Sequence, residues 1–264
     1  MKTTTVATAV ATFCAAGALA APNVAGRRVS NWRSVERANR RGNVRLPADS
    51  IASVNGNNNV TTSTNWAGAV INDSGFASVV GTITVPTPKD VETYNGFSVW
   101  VGIDGNTCTS AILQTGIQIT INSLGTVTYD PWYEWYPDFP YDFTGISISA
   151  GDEIRMSVTA SSPSAGVATL ENLSTGVNVS HSFANQTHEL CQTDAEWIVE
   201  DFALGPYLAP FAQFGSVTFT GASATQNGEA VDVSDATILN IKQNNQTLTS
   251  CSVTNNTTVD CDRL

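Results

Sequence analysis

Residues 152–160 read Asp-Glu-Ile-Arg-Met-Ser-Val-Thr-Ala, and this stretch decides the fold class. Apolar and polar side chains alternate through it without a break, and the apolar set is Ile154, Met156, Val158 and Ala160. Successive side chains of an extended chain point to opposite faces, so this alternation predicts a strand with one buried and one solvated face.

Further short segments with strand composition lie on both sides of it. Ala168–Leu170 and Val177–Phe183 flank Ser174-Thr175-Gly176, which predicts a hairpin. The other candidates are rich in Thr, Val and Ile: Gly81–Val85, Gly116–Thr120, Ser216–Thr220 and Ala230–Val233. Because no long segment has a 3.6-residue period and no internal repeat is visible, the sequence predicts an all-β sandwich or barrel.

Charge divides the chain into a basic arm and an acidic body. Residues 21–60 contain seven Arg against Glu36 and Asp49, a net charge of about +5 at neutral pH. Residues 61–264 contain four basic and 21 acidic residues, a net charge of about −17. An acidic body repels nucleic acid and anionic membranes, so neither is expected as a partner.

The first 20 residues have the pattern of a secretory signal peptide. Lys2 precedes a mildly apolar run that ends in Ala18-Leu19-Ala20, which fits a small-x-small cleavage site. No other stretch is long and apolar enough to span a membrane. We therefore expect a secreted, extracellular protein with a signal peptide at 1–20, a basic propeptide at 21–60 and one body at 61–264. The polar run at 55–59 predicts a cleavable junction.

Removal of the leader takes Cys14 with it and leaves Cys108, Cys191, Cys251 and Cys261. An even number of cysteines in an oxidising compartment predicts two disulfides, with three possible pairings. Cys251 and Cys261 flank a Thr- and Asn-rich stretch and resemble the two ends of a hairpin, and their pairing would leave Cys108 with Cys191. The sequence has no CxxC or HxxxH spacing, so we expect no metal site.

Several catalytic chemistries are excluded by what the sequence lacks. The two histidines, His181 and His188, lie in no nucleophile or metal motif, and there is no GxSxG elbow and no HExxH helix. Asp73-Ser74-Gly75 matches half of the aspartate pair of pepsin-like peptidases. The nearest second candidate, Gln114-Thr115-Gly116, carries an amide instead of a carboxylate. We therefore interpret Asp73 as a turn residue.

Two runs combine acidic and aromatic residues in an unusual way. In residues 130–137, alternation puts Glu134 between Trp132 and Tyr136 on one strand face, and an acidic side chain between two aromatics suits a concave polar site. In residues 195–202, Glu196 and Glu200 share one face with Ile198. Two carboxylates beside an apolar residue are costly to bury unless they have partners or a task. For Glu196, an edge strand with a wet face remains the alternative.

At these segments the chain resembles the glutamic peptidases, or eqolisins. The resemblance runs from Asn65–Val70 to Cys251 and Cys261, and four motifs match in order and approximate spacing: Val99–Gly105, Ala111–Gly116, Trp132–Pro137 and Ala195–Phe202. It implies a sandwich of two curved antiparallel sheets and an endopeptidase that acts in acid without a cofactor. A cysteine pair that some members carry after the catalytic Glu is absent here, where Ala203–Pro210 stand, so we expect one loop to differ.

The family's catalytic Gln and Glu correspond to Gln114 and Glu200. The resemblance implies that Glu200 is the general base and that Gln114 donates an N–H to the oxyanion. It also implies a set of cleft residues: Trp66, Trp100, Asp104, Asp130, Trp132, Glu134, Tyr136 and Asp142. The implied partners of a monomeric enzyme are polypeptide substrates and, as an inhibitor, its own propeptide.

A second class of function uses the same residue types. Trp and Tyr beside carboxylates also suit sugars, so a carbohydrate-binding sandwich is an alternative. A glycoside hydrolase would need two carboxylates, for which Glu134 and Glu200 are the candidates. The order of the peptidase motifs along the whole body favours the peptidase.

Overall fold

The computed structural model describes residues 45–46, 53–55, 58–89 and 94–264. Within these residues the chain forms strands and no helix, and so no helix that could cross a membrane. In chain order, the strands are β1 (Ser53–Asn55), β2 (Asn58–Ser63), β3 (Trp66–Asn72), β4 (Phe76–Thr84), β5 (Asn95–Ile103), β6 (Ile112–Ile121), β7 (Val127–Tyr136), β8 (Tyr141–Asp142), β9 (Glu153–Ser162), β10 (Ala165–Asn172), β11 (Val177–Phe183), β12 (Asp194–Glu200), β13 (Ala203–Leu204), β14 (Tyr207–Leu208), β15 (Ser216–Gln226), β16 (Glu229–Val231), β17 (Thr237–Gln243), β18 (Gln246–Thr247), β19 (Thr249–Thr254) and β20 (Thr258–Arg263).

These strands build two large sheets. The larger sheet has the order β1-β2-β17-β3-β12-β5-β6-β7-β8, and β18 pairs with β17. The smaller sheet has the order β11-β10-β9-β4-β15-β20-β19, and β16 pairs with β15. Neighbouring strands are antiparallel except for β2 and β17, which run parallel. The predicted sandwich of two antiparallel sheets is confirmed.

The main core lies between the facing surfaces of the two sheets. On β9, Ile154, Met156 and Val158 are fully buried while Glu153 and Arg155 are exposed, as the alternation predicts. They belong to one cluster with buried side chains of the larger sheet, among them those of β5 and β12. Full burial of such a side chain contributes about 1.5–3 kcal/mol relative to an exposed one, so this interface dominates the stability of the fold.

β6 and β12 are buried along their whole length, on both faces. Their inner faces meet the main core. Their outer faces contribute Ile112 and Ile198 to a second apolar cluster on the outer face of the larger sheet, and the other members of this cluster are Trp66, Val70, Trp100, Trp132 and Leu239. We call the surface of the larger sheet that carries this second cluster the site face. β12 lies between β3 and β5, so the interpretation of the Glu196 segment as an edge strand with a wet face is wrong.

Most of the other predicted elements are present. The predicted hairpin is β10–β11. Gly116–Thr120 and Ser216–Thr220 lie inside β6 and β15, and Gly81–Val85 lies in β4 except for Val85, which follows the strand. Ala230–Val233 is only partly extended, as the short strand β16. Asp73-Ser74-Gly75 lies in the connection between β3 and β4, as expected of a turn.

Both predicted disulfides are confirmed. Cys251 and Cys261 lie directly opposite each other on β19 and β20 and are joined, so they do close a hairpin. Cys108 is joined to Cys191 and ties the segment after β5 to the segment before β12.

The predicted processing segments lie mostly outside the described residues. Of residues 1–60, the structure describes 45–46, 53–55 and 58–60, so the predicted signal peptide at 1–20 lies outside it. β2 begins at Asn58 and pairs Val60 with Ile238 of β17, so this strand crosses the predicted boundary between residues 60 and 61. The division into signal peptide, propeptide and body remains a prediction.

Candidate active site

The strand register puts Gln114 and Glu200 on the same site face, on either side of β5. Gln114 lies opposite Glu134 of β7 and opposite Gly102 of β5. Glu200 lies opposite Ser98 of β5 and opposite Trp66 of β3. The two side chains are therefore two strands apart.

The indole of Trp100 lies between Gln114 and Glu200. Its Nε1 donates to Glu200 Oε2 at 2.9 Å. Its Cζ3 lies 2.9 Å from the position that a Cβ on Gly102 would take, and Gln114 Cβ lies 3.3 Å from the same point. A side chain at position 102 would thus clash with the indole, so the glycine leaves room for Trp100 beside Gln114. Trp66 packs edge-on against Trp100, with the ring centroids 4.9 Å apart.

The amide of Gln114 is held by one hydrogen bond and keeps donor capacity. Its side chain is 1% exposed, and Nε2 donates to Glu134 Oε2 at 2.9 Å. An amide nitrogen carries two N–H groups, so one is still available. Gln114 Oε1 has no hydrogen-bond partner among the described residues. The carboxylate of Glu134 therefore orients the amide and leaves one N–H and the oxygen for another molecule.

Asp201 follows Glu200 directly and is the next carboxyl along the chain. It is 1% exposed, and its Oδ2 accepts from Gln243 Nε2 at 2.7 Å. Burial raises the pKa of Asp201 to about 7, against the opposing effects of the Gln243 hydrogen bond and the Arg263 charge. Asp201 is therefore mostly neutral in acid, and it ties the end of β12 to β17.

The raised pKa of Asp201 predicts that the fold loses stability as the pH rises toward neutrality. A group whose folded pKa is raised stabilises the fold below its unfolded pKa, here 3.8, and that stabilisation is lost as the pH rises to about 7. The loss is about 4 kcal/mol at 1.36 kcal/mol per pKa unit. Asp201→Asn keeps the acceptor for Gln243 without the ionisation, so urea unfolding should show a flatter pH dependence between pH ~4 and ~7. Equal slopes of unfolding free energy against pH for the variant and the unchanged protein would contradict a raised pKa at Asp201.

Asp104 holds the backbone of residues 192–194 in place. It has no exposed surface, and its carboxylate accepts backbone N–H bonds from Gln192, Thr193 and Asp194 at 2.9, 2.8 and 3.3 Å. Burial raises the pKa of Asp104, and these N–H groups oppose the rise. The carboxylate of Asp104 is thus occupied by the chain itself, and a contact of this residue with substrate remains a prediction.

Asp194 makes the reciprocal set of bonds. Its carboxylate accepts from the backbone N–H groups of Asn106, Thr107 and Cys108 at 3.2, 2.7 and 3.2 Å. Together with Asp104 and the Cys108–Cys191 bridge, it fixes the turn after β5 against the start of β12. The sequence analysis missed Asp194, and only its place directly before the Glu196 segment could have suggested it.

Glu196 is a buried carboxyl with a different environment from that of Glu200. It has no exposed surface, and neither oxygen has a hydrogen-bond partner among the described residues. Burial, together with the charges of Asp194 and Asp104, raises the pKa of Glu196 well above its ordinary value. Glu196 is therefore a neutral carboxylic acid in the acid range, whereas Glu200 accepts a hydrogen bond from Trp100.

The remaining predicted residues lie on or beside the site face. Trp132 is buried, and its Nε1 donates to Ser98 Oγ at 3.2 Å. Tyr136 packs against the second apolar cluster. Asp130 is half-buried opposite Gln118, and Asp142 is exposed opposite Trp132. Their contacts with substrate remain predictions.

The described residues contain one group of potential metal ligands, Asp104 with Cys108 and Cys191. Its two sulfurs are joined to each other, and the carboxylate of Asp104 is bonded to backbone N–H groups. Neither kind of group is available as a metal ligand in this state.

Comparison with known proteins identifies the family. The sequence profile of the Peptidase A4 family matches residues 64–263, which contain the strands from β3 to β20. The chain belongs to the Peptidase A4 family. The predicted resemblance to glutamic peptidases is thereby confirmed, and the protein is an enzyme of the hydrolase class.

Two curated members of the Peptidase A4 family are similar over long stretches. Aspergillopepsin-2 of Aspergillus niger is 47% identical over 224 residues, covering 77% of this chain and 79% of that protein. Scytalidopepsin B of Scytalidium lignicola is 44% identical over 269 aligned positions, covering 99% of both chains.

Solved structures of the same family share the fold. The crystal structure of scytalido-glutamic peptidase with a transition state analog inhibitor has a TM-score of 0.70 and 47% identity, and the match covers 76% of this chain and 98% of that one. Aspergilloglutamic peptidase from Aspergillus niger has a TM-score of 0.62 and 51% identity, with coverage of 64% and 99%.

Proposed function

We propose that this Peptidase A4 member is a secreted endopeptidase that acts in acid and uses Glu200 as general base and Gln114 as oxyanion donor. The observation that carries the proposal is the arrangement around Trp100. The indole holds the carboxylate of Glu200 at one end, and at the other lies Gln114, whose amide keeps a free N–H. A base and a neutral donor on one face are the two parts that peptide hydrolysis needs.

The reaction has two steps. Glu200 takes a proton from a water molecule as the water oxygen bonds to the scissile carbonyl carbon, and the carbonyl oxygen becomes an oxyanion. The available N–H of Gln114 donates to that oxyanion, a contribution on the order of 3–4 kcal/mol in comparable sites. Glu200 then gives its proton to the leaving nitrogen as the C–N bond breaks, which returns the base to its starting state.

The carboxyl of Glu200 and the amide of Gln114 both suit an acid medium. An unperturbed glutamate titrates near pH ~4.3, so part of it remains a carboxylate at moderately acid pH. An amide does not titrate in this range, so the donor is present throughout. A histidine base would be mostly protonated under the same conditions.

Cleavage of a denatured protein at acid pH tests the proposal. We expect internal peptide bonds to be cut, with products identified by mass spectrometry, and we expect pepstatin to have no effect because the site lacks a pair of catalytic aspartates. Hydrolysis of oligosaccharides instead of proteins would favour the glycosidase alternative. The hydrogen bond from Gln114 to Glu134 argues against that alternative, because the carboxyl group of Glu134 is then bound to the Gln114 amide rather than being available to a sugar.

Glu134 is expected to act as a positioning residue for Gln114. Glu134→Gln removes the carboxylate that selects which end of the amide faces β7, so both amide orientations become accessible. We expect kcat to fall about tenfold or more while KM changes little. The matched control is Gln118→Glu, which alters an amide on the same strand face away from Glu134 and should cost less. An unchanged kcat for a folded Glu134→Gln variant would contradict the positioning role.

Secretion and inhibition by the propeptide are parts of the same proposal. The two disulfides support an oxidising compartment. The basic arm, with a net charge of about +5, and the body, with about −17, attract each other at neutral pH. As the pH falls, the carboxylates become protonated, the attraction weakens and the arm becomes accessible to cleavage near residues 55–61.

A charge-neutralised precursor tests this inhibition. Replacing the seven arginines of residues 21–60 with glutamine should give a precursor that is more active than the unchanged precursor at the same pH, because the charge attraction that holds the arm on the body is removed. Activity is measured on a peptide immediately after purification. A substituted precursor that is as tightly inhibited as the original would show that charge is not what holds the arm.

A further inference from the structure

Arg45 and Leu46 belong to the part of the basic arm that the structure describes, and both are hydrogen-bonded to the body. The Leu46 N–H donates to Asn65 Oδ1 at 2.8 Å, and the Leu46 carbonyl accepts from Thr64 N at 2.8 Å and Ser63 Oγ at 2.9 Å. Ser63 and Asn65 have no exposed surface. Both backbone polar groups of Leu46 are therefore satisfied by buried or backbone groups of the body, as in a peptide-binding site.

The neighbouring arginine is held by its backbone and by its guanidinium. The Arg45 N–H donates to the Gly105 carbonyl at 3.1 Å. Nη1 donates to Asn106 Oδ1 at 3.1 Å and Nη2 to the Thr62 carbonyl at 3.0 Å. The guanidinium thus has two directed acceptors on two separate segments of the body, which is a fixed geometry rather than diffuse attraction.

None of these hydrogen bonds depends on the ionisation of a carboxylate. The acceptors are amide and carbonyl oxygens, which remain unchanged across the acid range. Asp194 of β12 is the charged group that acts on Arg45. Burial lowers the pKa of Arg45, and the charge of Asp194 opposes this effect. Arginine stays protonated in acid, so protonation of the body removes the attraction of Asp194 but leaves the directed bonds.

This contact adjoins the candidate active site. A Cβ on Gly105 would lie 2.9 Å from Trp66 Cη2 and 2.7 Å from Ile112 Cδ1, so Gly105 packs against the apolar cluster of the site face. Trp66 in turn packs on Trp100, which bonds Glu200. A peptide bound through Gly105 is therefore linked to Glu200 through two packed side chains, Trp66 and Trp100.

We propose that Thr62, Ser63, Asn65, Gly105 and Asn106 form a peptide-binding site for an arginine and the backbone of the residue after it, and that this site retains the chain's own Arg45–Leu46 segment after the arm is cut. The proposal rests on the proposed maturation of the arm and adds to it. Cutting the chain and lowering the pH remove the covalent link and the general charge attraction, but they do not empty this site. Release needs a further event, such as digestion of the bound segment.

The test separates retention from the chain's own activity. A recognition sequence for a sequence-specific protease is inserted between Ala48 and Asp49 of the full chain, in a Glu200→Gln background so that the fragment is not digested. After cutting, native mass spectrometry and gel filtration measure how much of the N-terminal fragment stays bound at pH 6.5 and at pH 4. We expect a bound fragment at both values.

Two variants with the same change in charge decide what holds the fragment. Arg45→Gln should weaken retention at pH 4 about tenfold or more, since it removes charge-assisted bonds. Arg41→Gln removes one charge from the same arm and should weaken it much less. Release of the fragment at pH 4 without any substitution, or equal weakening by the two variants, would overturn the proposal. Circular dichroism confirms that each body is folded, and the result does not depend on whether the chain is a peptidase.

Discussion

Replacing Glu200 with glutamine is expected to lower kcat/KM by about 10²- to 10⁴-fold at every acid pH, the usual contribution of a general base. The amide has the size of the carboxylate, and its oxygen can still accept the hydrogen bond from Trp100 Nε1. The indole should therefore keep its place, and the loss should fall on kcat rather than on folding. An amide cannot take a proton from water, so no pH restores the rate.

The measurement is steady-state hydrolysis of one peptide across the acid range, with circular dichroism to confirm the fold. A folded Glu200→Gln variant that keeps more than about a tenth of the rate would contradict the role of Glu200, because a missing base costs more than that.

Replacing Gln114 with glutamate is expected to lower kcat/KM by about 10²- to 10³-fold where the new carboxyl is ionised, since it removes one oxyanion donor. The loss should be smallest at low pH, where a protonated carboxyl can still donate. The new carboxyl would lie opposite Glu134 on β7. Two carboxyls on directly opposite residues of neighbouring strands cannot both ionise easily, so one of them keeps its proton to a higher pH than an isolated carboxyl would.

The pH profile of this variant is the informative readout. We expect its activity to fall more steeply with rising pH than that of the unchanged enzyme. A profile parallel to that of the unchanged enzyme would mean that the donor at position 114 does not contribute to the rate.

The sequence predicted strands best where one face is buried and the other is wet. β9 alternates between buried and exposed residues along its length, and its pattern was recognised. β12 is buried on both faces, because the main core lies on one side and the second apolar cluster on the other. The sequence pattern of β12 is the same for a strand buried on both faces and for an edge strand with one solvent-exposed face. The edge-strand alternative for Glu196 could therefore be rejected only from the order of strands in the sheet.

The candidate site was predicted in part. Alternation predicted that Trp132 and Glu134 share one face of their strand and that Glu196 and Glu200 share one face of theirs. The structure puts all four on the site face. The hydrogen bonds of Asp104 could not be predicted from the sequence. Its role depends on the backbone N–H groups of residues 192–194, which are about 90 residues away in sequence and are brought close only by the pairing of β5 with β12.

Comparison of Glu200→Gln with Glu196→Gln on one peptide, at the pH of highest activity, tests the central claim most directly. Glu196 lies on the same face of the same strand and is a neutral acid with no hydrogen-bond partner among the described residues, so an amide reproduces it closely. The account predicts that Glu196→Gln keeps most of its kcat/KM and that Glu200→Gln loses about 10²- to 10⁴-fold. A folded but inactive Glu196→Gln beside an active Glu200→Gln would contradict it and place the base on the other glutamate.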